Sequence, residues 1–162
     1  MSIPNTATQQ ASYFVGLLAH EGPSRVDTAI LKQVTVAGNE AYPGKACTYN
    51  ADDETVAVGG EGVFAGLILG NERVPSDSGE GYYANGDKVE LVQMGEMSLA
   101  IDLGIAAIAR NAPVHFDKTT GQLGAGAGDD TDTFTIKNAV IVRYGDKTVA
   151  PCIATVSLTG PV

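Results

Sequence analysis

Asp87-Lys-Val-Glu-Leu-Val-Gln-Met-Gly-Glu-Met-Ser-Leu-Ala-Ile101 is the stretch on which the fold turns. Residues 87–93 form the clearest strand in the chain, with apolar and polar side chains alternating at the period of two that a pleated backbone imposes. Gly95 predicts a turn, and residues 97–101 a second strand beyond it. The same grammar extends outward. Val63-Phe-Ala-Gly-Leu-Ile-Leu69 is a continuous apolar run, the pattern of a fully buried strand, and Gly66 inside it marks a bulge or a close backbone contact. Residues 46–49 and 55–58 are strand-like around the acidic turn Asn50-Ala-Asp-Asp-Glu54, and residues 30–36 alternate imperfectly. Downstream, residues 113–116, 134–144 and 148–158 read as strands, the last two joined at Gly145-Asp146. Residues 103–111 are the one helical candidate, weakened by Gly104 and by their shortness. About nine short strands between turn clusters predict a sandwich or a barrel.

Composition agrees. At 162 residues, 44% apolar and 18% charged, one domain can build a core without metal or disulfides. Abundant Gly and Thr, in place of Leu, Lys and Glu, exclude a helical bundle. The expected fold is mostly β: an antiparallel β-sandwich or β-barrel-like domain over residues 26–162, preceded by an extended N-terminal arm over residues 1–25. In that arm a polar stretch, Asn5-Thr-Ala-Thr-Gln-Gln-Ala-Ser12, precedes an apolar patch and then the turn His20-Glu-Gly-Pro-Ser24. Tyr13, Phe14, Val15, Leu17 and Leu18 make up the patch. They are the candidate contact residues for a neighbouring subunit; the competing reading is that the patch packs on its own domain.

Charge narrows the partners. The net charge is −9, and the ten cations stand singly, with no two adjacent. Binding to nucleic acid or to an anionic membrane needs clustered cations and is not expected. Residues 1–19 contain no Lys or Arg, so no secretory leader is read there, and their apolar run is far too short to span a membrane. Cys47 and Cys152 form no CxxC pair and read as small buried apolar residues of a protein made in a reducing cytoplasm; a disulfide or a catalytic thiol is the alternative.

Candidate chemistry is sparse. Gly124-Ala-Gly-Ala-Gly128 lacks the Lys-Ser/Thr of a P-loop, and Asp129, Asp130 and Asp132 after it would repel phosphate, so it reads as a flexible loop. Those aspartates lack the closing Glu of a calcium loop, and they read, with Asp52, Asp53 and Glu54, as solvated acidic turns. His20 and His115 have no partner at metal-ligand spacing, and His115 is expected at a surface or half-buried strand position. No Gly-x-Ser-x-Gly elbow is present. No catalytic residue, cofactor site or metal site is therefore nominated, and an enzyme is not expected. The long loop over residues 71–85, with Tyr82-Tyr83 near its end, is of the length that is usually functional or disordered.

Four pieces in order resemble the bacteriophage head decoration, or structural cement, proteins. They are Gly44-Lys-Ala-Cys47 with Val58-Gly-Gly-Glu-Gly-Val-Phe-Ala-Gly66; Asn85-Gly-Asp-Lys-Val-Glu-Leu-Val-Gln-Met-Gly95; Ala112-Pro-Val-His-Phe-Asp-Lys-Thr-Thr-Gly-Gln-Leu123; and the C-terminal pair ending Ile153-Ala-Thr-Val-Ser-Leu158. The polar start is also similar to the arm of such proteins. The resemblance implies a β domain that sits on the outer surface of an assembled capsid in the virion and staples neighbouring major capsid protein subunits. It carries no catalytic motif to transfer and implies no cofactor. Residues 71–85 depart from it. Size and site logic add a homo-oligomer, a trimer first and a dimer second. The alternatives are another β-rich virion component, such as a head fibre base or tail tube, and a small carbohydrate-binding β module.

Overall fold

The computed structural model describes residues 15–19, 23–51, 54–70 and 81–159. Ten strands follow one another among them: β1 (Leu17–Leu18), β2 (Arg25–Ile30), β3 (Ala46–Tyr49), β4 (Val56–Val58), β5 (Phe64–Ile68), β6 (Lys88–Leu103), β7 (Pro113–Asp117), β8 (Leu123–Ala125), β9 (Thr133–Tyr144) and β10 (Cys152–Thr159). The molecule is mostly β, as its composition predicts, and its core is a closed barrel with further strands attached.

The central stretch corrects one expectation. Gly95 does not turn the chain; β6 runs straight through it as one strand of 16 residues, about 50 Å of extended backbone. Leu158 of β10 pairs opposite Gly95, so the ladder is continuous there. The missing side chain serves a neighbour instead: a Cβ on Gly95 would lie 3.3 Å from both Leu18 and Ser24, which cross over the strand at that point.

Everything else hangs on β6. Along one edge β2 covers residues 88–94, β1 pairs at Met97 and Ser98, and β8 pairs in parallel at Ile101 and Leu103. Along the other edge β5 pairs at Leu91 and Val92 and β10 covers residues 94–101, both antiparallel and end to end. β10 then pairs with β9, β9 with β7, and β7 with β8, which returns to β6 and closes a ring of five strands. The alternation is cleanest in β10, where Cys152, Ala154, Val156 and Leu158 point inward and the residues between them are half-buried.

Two cores result. The ring encloses Met97, Leu99, Ile101, Val114, Phe116, Ile136 and Ile141 among others. Outside it, β3, β4 and β5 fold against the first half of β6 over Leu31, Cys47, Val56, Ile68, Tyr83 and Leu91. Each large aliphatic side chain buried here contributes about 1.5–3 kcal/mol. β5 is the shared wall, with Leu67 facing one core and Ile68 the other. Gly66 behaves as its sequence context predicts. It has φ +149°, the β3–β5 register slips beside it, and a Cβ there would sit 2.9 Å from Leu91 and from the Val92 carbonyl.

Four further expectations shift. Residues 32–36 leave the sheet, because Asn39 is buried and ties them into a knot. Its Oδ1 accepts from the Val36 N–H at 2.9 Å and its Nδ2 donates to the Val34 carbonyl at 2.9 Å. Residues 105–107 form only a single 3-10 turn. The Gly-rich segment is partly a strand, β8, buried between β6 and β7 where only small residues fit. The last strand starts at Cys152, and residues 145–151 form an exposed loop.

Candidate interaction surfaces

The reactive side chains are put to structural use. His115 is buried, not half-exposed: Gly124 opposite it has no Cβ, so the ring lies flat against the β8 backbone. Its Nδ1 is 3.0 Å from the Gly126 carbonyl, which makes that nitrogen the protonated donor. Both cysteines are free and buried, one in each core, as small apolar residues. Burial pushes the Cys47 thiol up to about 12, only partly opposed by Lys45, so it stays protonated and unreactive. Asp129 is spent on its own turn. Its Oδ1 accepts the backbone N–H groups of Thr131, Asp132 and Thr133 and the Thr133 hydroxyl at 2.9–3.1 Å. Those bonds hold its carboxyl down to about 2. Asp129, Asp130 and Asp132 are all exposed, as expected of an acidic turn.

Among the arm residues, Tyr13 and Phe14 lie outside the described residues. Val15, Leu17 and Leu18 are brought to the edge of β6. The Gly16 N–H donates to the Ser98 carbonyl and the Ala19 N–H to the Glu96 carbonyl, each at 2.7 Å. Gly70 donates to the Gly16 carbonyl at 2.8 Å, so the segment is held from two sides, with Leu18 left partly exposed. Asp52, Asp53 and His20 fall outside the described residues, as do residues 71–80 of the long loop. The loop's end is anchored: Tyr83 is buried with its hydroxyl toward the Leu69 carbonyl, and Tyr82 stacks edge-on with Tyr42.

The fold also assembles surfaces that no contiguous sequence carries. Phe64, Phe116 and Phe134, from β5, β7 and β9, line a cavity of about 380 Å³ together with Gln93, Lys137 and Asn138. Successive rings lie 6.1 and 6.0 Å apart. The Lys118 ammonium sits 4.0 Å over the Phe134 ring and 3.6 Å from Glu61. On β2, Val26 and Ile30 present apolar side chains to solvent. Apolar side chains on neighbouring strands thus stand at the surface, while His115, both cysteines and Asp129 are buried or hydrogen-bonded within the fold.

A family model described as structural cement protein (E217 gp24/Pam3 gp6) matches residues 3–159. The chain belongs to this family of phage structural cement proteins. It is accordingly a structural protein of the phage virion and capsid, from a family not known for catalysis. A solved structure, "The capsid of Myoviridae Phage XM1", contains a chain of similar fold, with 16% identity, a TM-score of 0.64, and coverage of 90% of this chain and 89% of that one. No curated protein matches the sequence.

Proposed function

We propose that this cement protein binds the outer surface of the assembled head and holds neighbouring major capsid protein subunits together, without catalysing a reaction. The family match over nearly the whole chain carries the reading. The exposed apolar side chains of β2 and of the 145–151 loop fit it, because added contact area across subunit seams is what a cement protein supplies. In this reading residues 26–162 are the single β domain. Residues 1–25 are the arm that reaches a capsid subunit or a neighbouring copy through Tyr13, Phe14, Val15, Leu17 and Leu18. Assembly as a trimer at local threefold positions, with a dimer second, lets a 16.7 kDa chain span several capsomers.

Binding only to the assembled shell stabilises it by about 2.7 kcal/mol per site at a hundredfold excess over Kd. Purified protein mixed with undecorated heads should co-sediment with them and raise their disruption temperature. Cryo-EM should then find the added density on the outside of the shell. Density at the tail, or no co-sedimentation, overturns the reading. Deleting residues 1–24 should leave a folded domain that decorates more weakly, and unchanged decoration overturns the arm assignment.

A further inference from the structure

The cations that stand singly in the sequence are not single in space. β9, with 12 residues, separates two ends of the barrel by about 35 Å. At its start, the 126–132 loop folds back along β9 and presents Asp129, Asp130 and Asp132. At its finish, two loops meet. The Asn111 N–H donates to the Ile141 carbonyl at 2.7 Å, the Ile141 N–H to the Ala112 carbonyl at 3.0 Å, and the Lys147 ammonium to the Ile108 carbonyl at 2.8 Å. That junction gathers Arg110, Arg143 and Lys147, all exposed. None of them pairs with a carboxylate among the described residues. The one exposed carboxylate of the 145–151 loop, Asp146, accepts the Thr148 N–H and hydroxyl and stays ionised, so one negative charge stands beside the three cations. Asp102, on β6 at the same end, is half-buried with Lys45 beside it.

The same end carries apolar surface. Val149 is 68% exposed and Tyr144 is 44% exposed, with the Lys147 ammonium 5.5 Å from the Tyr144 ring. Ala106, Ala107 and Ala109 are exposed around them, a low-relief surface that a partner can approach closely. Arg and Tyr beside apolar residues is the composition of an interface centre, not of a solvated face.

We infer that the end bearing Arg110, Arg143 and Lys147 is the docking face, and that its occupant is an acidic patch on the outer surface of the capsid shell. The inference rests on the cement reading and adds an orientation to it. A chain of net charge −9 approaching a carboxylate-bearing surface is least repelled when it leads with these three cations. The aspartates at the other end then face outward.

The test uses undecorated heads and the full chain, with association followed at low and at high salt. The variants are Arg110→Glu/Arg143→Glu, which removes no hydrogen bond described above, and the same pair with Lys147→Glu. Asp130→Asn/Asp132→Asn is the control at the opposite end. Charge reversal should slow association about tenfold at low salt and flatten its salt dependence, with the melting temperature of the free protein unchanged in the double variant. The aspartate variant should decorate as the parent does. Parent-like decoration by both reversal variants, or equal loss in the aspartate control, overturns the docking face while leaving the cement reading intact. Loss of self-association ahead of any change in capsid binding assigns the face to a second copy and also overturns it. Failure of the parent protein to decorate removes the cement reading itself.

Discussion

Gly124 and His115 show how closely single residues are fitted here. A methyl on Gly124 would overlap the His115 Nε2 and come within 2.9 Å of Leu103, with strands on both sides to resist any shift. Gly124→Ala should therefore cost about 1–3 kcal/mol in urea unfolding, the usual range for an overfilled core. Combined with His115→Ala, its effect should shrink, giving a coupling of about 1 kcal/mol in a double-mutant cycle. Asp129 makes a pH prediction. Its carboxyl is held at about 2 in the folded state, below the ordinary 3.8. The ionised cap is thus complete above pH 4 and is lost as pH falls through about 2. Amide exchange of Thr131, Asp132 and Thr133 should become less protected across that window, and Asp129→Ala should show the low-pH behaviour already at pH 7. Protection that stays flat from pH 5 to pH 2 would contradict the cap.

Among the elements, β6 belongs to both cores: Val89 and Leu91 face one, Met97, Leu99 and Ile101 the other. Nature has placed one thiol in each, Cys47 and Cys152. Because the cores share a strand, the two thiols should become reactive toward a thiol reagent over the same range of urea. Labelling of one thiol well before the other would show two independent units. Leu99→Ala should cost about 2–5 kcal/mol and should expose Cys47, across the molecule, at the lower denaturant concentration as well. The strands themselves were legible in the sequence wherever alternation was clean, as in residues 87–93 and in the later part of 148–158, and Gly66 announced its bulge. Gly95 was not legible, because glycine marks a turn and a crossing point with the same letter. Residues 32–36 alternate like a strand yet lose to the buried Asn39 amide, a competition that no periodicity reports. The aromatic cavity and the cationic end stayed invisible for a different reason. Phe64, Phe116 and Phe134, like Arg110, Arg143 and Lys147, become neighbours only through strand register.

At the scale of the whole molecule, the charge distribution matters more than its sum. With three cations at one end and three aspartates at the other, the free protein should elute from an anion exchanger as an acidic protein yet be retained by a carboxylated resin at low salt. Arg110→Glu/Arg143→Glu should abolish that second retention without changing the oligomer mass. If mass photometry finds a trimer, the cationic ends of its three copies should lie on one side, since a trimer with mixed orientations could not seat on a shell. A final consequence follows from the closure of the ring through β10. During synthesis, β3, β4 and β5 can pair with one another as they leave the ribosome, β1 and β2 wait for β6, and the ring from β6 to β9 stays open until β10 emerges. The ring core is not sealed in a nascent chain that stops short of residue 152, so each newly made copy holds the apolar edges of β6 and β9 open until its last strand arrives.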